Sequence, residues 1–155
     1  MQGSVLSAHE GDAGLPQGLC LVVAPTGQAG GGMGRVKDYI VDGSRDRFPG
    51  LRFEPLATRD QGGALASIGL LAKAILTIWA ARFSRRLALV HVNLGDRGSA
   101  VRKGLVVLAA RAVGAKVVLH LHAVELHEHF ERGGPVLRRL IRAPFRAATC
   151  NIVLG

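Results

Sequence analysis

The stretch that decides the fold is "LALVHVNLGDRGSAVRKGLVVLAARAVGAKVVLHLH", Leu87 to His122. "LALVHVN" (Leu87–Asn93) is a short apolar run, the mark of a strand buried on both faces. "LGDRGS" is a loop. Helical spacing follows from Ala100 to Val113, with Ser99 placed to cap its start and Gly114 to stop it. "KVVLHLH" (Lys116–His122) is again a buried strand. A strand, a helix and a second strand in close order make a parallel crossover unit.

The same alternation extends both ways. Upstream, "GLCLVVAP" (Gly18–Pro25) reads as a first strand, and the glycine-rich "TGQAGGGMG" leads into "RVKDYIVDGSRDRF", helical at Val36 and Ile40. "LRFEPLA" (Leu51–Ala57) is a second strand, weakened by Pro55. Downstream, "PVLRRLIRAPFRA" is a basic amphipathic helix in which Pro135 suits the first turn and Pro144 is expected to kink or split the rod. "CNIVLG" is a fifth strand. Five strands separated by helices predict an α/β fold: a Rossmann-like parallel sheet with helices on both faces and strand order 2-1-3-4-5. Residues 1–18 read as a mobile lead-in and 19–155 as one domain. In such a sheet ligands sit beyond the carboxyl ends of the strands, where the chain reverses direction across the sheet. That rule singles out Thr26–Gly34, Asn93–Ser99 and the segment from His122 onward.

Composition narrows the partners. Up to Gln61, six Lys or Arg face seven Asp or Glu; from Gly62 onward fourteen face four. A skew of this kind calls for an anionic partner. Arg outnumbers Lys sixteen to four, which favours phosphate. Aromatic residues are only 5% and no nucleic-acid motif is present, so nucleic acid is not expected. Cys20 and Cys150 both fall in strand-like runs and are expected to be buried free thiols, which with the absence of a signal-peptide pattern suggests the cytoplasm. "ALASIGLLAKAILTIWAA" (Ala64–Ala81) is barely long enough to span a bilayer. Its small residues, Lys73, and larger apolar residues at Leu65, Ile68, Leu71, Ile75 and Ile78 favour a helix packed by one face.

The glycine-rich loop follows a strand and opens a helix, a setting that holds anions through backbone N–H groups; a flexible turn is the alternative. Strict patterns fail, since Arg35 closes the G-x-G-x-x-G begun at Gly30 and Met33 stands where a P-loop needs lysine. Four of six histidines crowd between His120 and His129. H-E-x-x-H spacing is missing, so no metal is expected. His120 is expected to be a hydrogen-bonded core residue, and His127 and His129 to flank a solvated turn. His122, at the strand end, is the candidate for hydrogen bonding or proton handling. After the third strand, His91 and Asn93 share one face, while Ser99, Arg102 and Lys103 offer donors and charge for a phosphate; a cap with solvated charges is the alternative. Arg138, Arg139, Arg142 and Arg146 lie on the last helix, which either covers the sheet or meets an anionic membrane.

Taken in order, "VVAPTGQAGGGMGRV", "LVHVNLGDRGSAVRKGLVVLAARAVGAKVVLHLHAVEL" and "ATCNIVLG" resemble the N-terminal half of GT-B glycosyltransferases of family 4. The resemblance implies one of two Rossmann-like domains facing a cleft, and retaining transfer of a sugar from a nucleotide-sugar without a metal or other cofactor. It implies an acceptor that is a lipid-linked sugar or a glycan, and attachment to the inner face of the plasma membrane. Gly31, Gly32 and Gly34 would approach the donor phosphate, and His122 would face the reacting sugar by hydrogen bonding and positioning. The donor-side domain with its E-x7-E motif is not in this sequence, so the chain alone is expected to turn over little. Two alternatives stay open: a stand-alone flavodoxin-like module for a phosphorylated ligand, and a basic membrane-docking subunit.

Overall fold

The computed structural model describes residues 17–25, 31–59, 63–95, 98–123 and 125–153. Five strands are present: β1 (Gly18–Ala24), β2 (Leu51–Ala57), β3 (Leu87–Leu94), β4 (Val117–Leu121) and β5 (Cys150–Val153). They form one parallel sheet in the order β2-β1-β3-β4-β5, as the alternation of strands and helices predicts. Pro55 is tolerated because β2 is an edge strand, where a missing N–H need not break a ladder on the open side. Gly18 already belongs to β1, donating to the Gly50 carbonyl at 3.1 Å; residues 1–16 of the expected lead-in lie outside the described residues.

The helices are α1 (Gly31–Gly43), α2 (Ala64–Phe83), α3 (Gly98–Ala112), α4 (Leu126–Arg132) and α5 (Pro135–Ala147). The main core lies between the sheet and the row α2–α3–α5, from Leu21, Val23, Val90, Val92, Val117 and Leu119 to Ile78, Val106, Val107 and Ile141. Alternation along the strands places Cys20 and Val22 on the other face, toward α1.

Two helix ends fix how strands enter the sheet. α3 ends as expected at Gly114, φ 71°, whose N–H reaches Arg111 O at 2.9 Å while Ala115 N–H reaches Ala110 O at 3.0 Å. That paired bonding is a Schellman cap. α2 ends in the same pattern, Arg85 N–H to Arg82 O and Arg86 N–H to Ala81 O, both 3.0 Å, but the left-handed position is held by Arg85 at φ 55°.

Several expectations give way. Pro144 does not split α5, which runs on to Ala147. The proline is buried against α3, so close that a Cβ on Gly104 would stand 2.7 Å from Pro144 Cγ. Tight packing of two helices holds the rod together where local chemistry would break it. A fifth helix, α4, occupies the expected turn, with His127–Glu131 at 3.2 Å and Glu128–Arg132 at 3.3 Å one turn apart on it. Cys20 is buried, and burial raises its thiol pKa; Cys150 is exposed because β5 is an edge strand. Only part of the stripe proposed for α2 packs: Ile78 is fully buried, whereas Leu65 is 85% and Ile68 62% exposed.

Candidate functional site

The carboxyl ends of β2, β3 and β4 and the starts of α1 and α3 bring together side chains from five segments. β4 stops at Leu121, one residue short of the expected end, yet His122 N–H still donates to Leu94 O at 2.8 Å. His122 is thereby held as if it were one more strand residue. Its Nε2 lies 2.9 Å from Asn93 Oδ1. Asn93 is fully buried, and its Nδ2 donates to the Val23 carbonyl at 3.4 Å, leaving Oδ1 as acceptor. His122 therefore carries its proton on Nε2, and Nδ1 keeps the lone pair. The asparagine sets the tautomer of the histidine.

Two more histidines join it. His120 stacks on His122 with ring centroids 3.9 Å apart, and His91 meets His120 edge-on at 5.6 Å. The expectation of a hydrogen-bonded His120 fails: both of its ring nitrogens are buried without a partner. The reason is register. Asn93, the one polar neighbour across from His120 in the ladder, is already committed to Val23 and His122. All three imidazoles are disfavoured as cations. Burial, then His120 and Lys103, push His122 down to about 4. Burial, then His120 and His122, take His91 to about 4, with Asn93 pulling slightly back. Burial lowers His120. The cluster is neutral at pH 7.

Above it sits a lysine that no carboxylate pairs with among the described residues. Lys103 is 0% exposed, and among the described residues its Nζ has one polar contact, Met33 Sδ at 3.7 Å. It reaches from α3 across the strand ends to the start of α1. Burial, then repulsion from Arg102, lowers its pKa to about 7. Ser99 was expected as a cap, but α3 starts at Gly98 and Ser99 falls inside the first turn, its Oγ buried without a partner. Arg102 Nε is likewise buried and unpartnered, its pKa lowered by burial and by Arg59. Thr58, just past β2, completes the edge with another buried, unpartnered hydroxyl.

Buried polar atoms are normally satisfied, because each orphan costs about 1–3 kcal/mol. Here orphans gather at one end of the sheet, which is where such folds take ligands. Among the described residues no group of three or more His, Cys, Asp or Glu is placed to hold a metal. The stacked rings and Lys103 suit a ligand rich in hydroxyl and phosphate oxygens instead.

Asn93, Ser99, Arg102, Lys103 and His122 all lie at this end of the sheet. Gly31, Gly32 and Gly34 lie in the first turn of α1, beside Met33. Among the described residues, a Cβ on Gly32 or Gly34 would meet nothing within 4 Å, so none of them requires glycine there. The loop residues 26–30 lie outside the described residues. His91, Met33 and Thr58 were not singled out from the sequence as ligand contacts. Thr58 was within reach, since it follows a strand and obeys the same carboxyl-end rule.

The fold defines the class: a Rossmann-like α/β domain, consistent with one half of a GT-B architecture. No protein-family model, no curated protein and no solved structure matches the chain.

Proposed function

We propose that this chain is the acceptor-side half of a retaining GT-B glycosyltransferase, moving a sugar from a nucleotide-sugar to a lipid-linked or glycan acceptor. The observation that carries the proposal is the tautomer-locked His122, tied to Asn93 at 2.9 Å at the mouth of the strand ends. A neutral imidazole with its lone pair on Nδ1 accepts a hydrogen bond from a sugar hydroxyl and fixes the ring, worth far more in a closed cleft than in water. Lys103 and Arg102 supply positive charge for the donor diphosphate as it comes over Gly31, Gly32 and Gly34. A second, donor-side domain completes the cleft and holds the nucleotide, and the protein works in the cytoplasm at the membrane.

The test is sugar transfer by this chain supplied with a donor-side domain. His122→Ala is expected to lower transfer about 100-fold with the fold unchanged by circular dichroism, and Asn93→Ala about 10-fold through the lost tautomer. An unchanged rate in His122→Ala rejects the site.

One observation favours a second reading, a module that binds a phosphorylated ligand without chemistry: Lys103 is buried with no carboxylate partner among the described residues, whether or not sugar is transferred. Titration with sugar phosphates separates the two, since binding without transfer in the completed protein selects the module. Membrane contact has its own support. Among the described residues one helix segment, Leu65–Phe83, is long and apolar enough to cross a membrane by length and composition, with 17% of its apolar window buried.

A further inference from the structure

On the opposite side of the β4 end from the histidines lies an apolar chamber of about 440 Å3. Its floor is Leu121, Leu126, Phe130, Ile141 and Phe145, from β4, α4 and α5. Leu126 and Ile141 are buried in the core, so the chamber is a dent in packed structure. That volume lies within the range of sites for small organic ligands.

The rim has the opposite chemistry. Arg142 and Arg146 stand at the mouth, one helical turn apart, and Arg138 continues the row one turn earlier. Arg142 and Arg138 lie over the Phe130 ring, at 4.9 and 5.8 Å from its centroid. Cation–π contact holds these guanidiniums at the edge of the apolar floor. α5 contains no acidic residue. On α4, Glu131 is engaged by His127 and Glu128 by Arg132; no carboxylate pairs with Arg139, Arg142 or Arg146 among the described residues. Forked donors one turn apart suit a tetrahedral anion with several oxygens. An apolar recess under an unneutralised arginine row is complementary to a molecule with one apolar end and one phosphate.

We infer that the chamber between β4, α4 and α5 binds a single-chain lipid phosphate, its chain on Phe130, Ile141 and Phe145 and its phosphate on Arg142 and Arg146. The inference stands on this chamber alone and goes beyond sugar transfer. If both hold, the lipid phosphate seats the acceptor beside His122, because Leu121 and Ala123 flank that histidine and both line the chamber.

Calorimetric titration with dodecyl phosphate below its micelle concentration tests this. Dodecyl phosphate is expected to bind at least tenfold more tightly than dodecyl maltoside or inorganic phosphate. Shortening the chain from dodecyl to octyl to butyl phosphate should weaken binding about three- to fourfold per methylene. Arg142→Gln with Arg146→Gln, both exposed and so neutral for folding, should erase the preference for phosphate over maltoside while keeping the chain-length dependence. Affinity independent of chain length overturns the chamber as the seat of the chain. Equal affinity for the maltoside, or an unchanged double variant, overturns the phosphate contact. His122→Ala should leave this binding intact, so failure here and failure of sugar transfer are separately visible.

Discussion

α2 and α3 lie side by side on the same sheet, yet their burial runs against their composition. α2 is the more apolar, but only 17% of its apolar window is buried. It grips the molecule with Ala74, Ile78 and Ala81, and by a hydrogen bond from Trp79 Nε1 to Ala109 O at 3.0 Å, and leaves Leu65, Ile68, Leu76 and Phe83 in the open. α3 is less apolar and buries Ala100, Val106, Val107, Ala110 and even Lys103. The difference is position. α3 lies against β3 and β4 with α2 on one side and α5 on the other; among the described elements α2, toward the β2 edge, has a helix beside it only on the α3 side. A helix is buried by what surrounds it, and hydropathy alone does not say what that will be.

Four measurements can break or sharpen this contrast. The largest effect is expected at the α3–α5 crossing. Gly104→Val would drive a rigid branched side chain into Pro144, where a single Cβ already stands 2.7 Å from Cγ. A loss of about 3 kcal/mol in urea unfolding is expected, outweighing the helix propensity gained on leaving glycine. A loss under 1 kcal/mol would mean the two helices are not locked together.

Next comes Lys103→Met, which swaps a buried charge for an apolar chain of similar length. Stability at pH 7 is expected to rise by about 2 kcal/mol while sugar-phosphate binding falls at least tenfold. The pH dependence has a definite sign. With a native pKa near 7 against an ordinary 10.5, the unfolded chain holds the proton more tightly between those values. Stability of the unsubstituted protein should therefore climb as pH rises from 7 toward 10.5, and the climb should shrink in the variant. His91 and His122, both held near 4, act in the same direction lower down: stability is lost as pH falls from 6.5 toward 4. A variant as stable as the parent, with the same alkaline slope, would show that Lys103 is compensated.

A smaller gain is expected on α2. Arg85→Gly relieves a left-handed position held by a residue with a Cβ and should raise stability by about 1 kcal/mol, read as a higher midpoint in thermal unfolding. The smallest effect is the sharpest check on α2. Leu65→Ser and Ile68→Ser should each change stability by no more than about 0.5 kcal/mol. Losses near 2 kcal/mol would mean these exposed residues are covered in solution.

Much of the candidate site was legible because it rests on strand ends. Once "LVVA", "LVHVN" and "VVLHL" are buried strands in known order, Asn93 and His122 must lie at one edge, and the helix that follows must bring Ser99, Arg102 and Lys103 there. The partners were not legible. That Asn93 turns its amide nitrogen to Val23, so that His122 has no choice of tautomer, depends on a neighbour seventy residues away. Ser99 illustrates the same limit, since whether it caps α3 or sits inside it turns on one residue of helix start. α4 had a visible signature in the pairs His127–Glu131 and Glu128–Arg132, overshadowed by the crowd of histidines.

By itself the sequence determined the strands and their parallel order. Apolar runs and their spacing are local properties, and right-handed crossovers leave little freedom in joining them. Tertiary structure alone decided which polar groups lost their partners, that Pro144 could stay in a helix, that α2 would be bared, and that an apolar chamber would open beneath the arginines of α5. Each depends on atoms distant in sequence meeting within a few ångströms, and only packing fixes that.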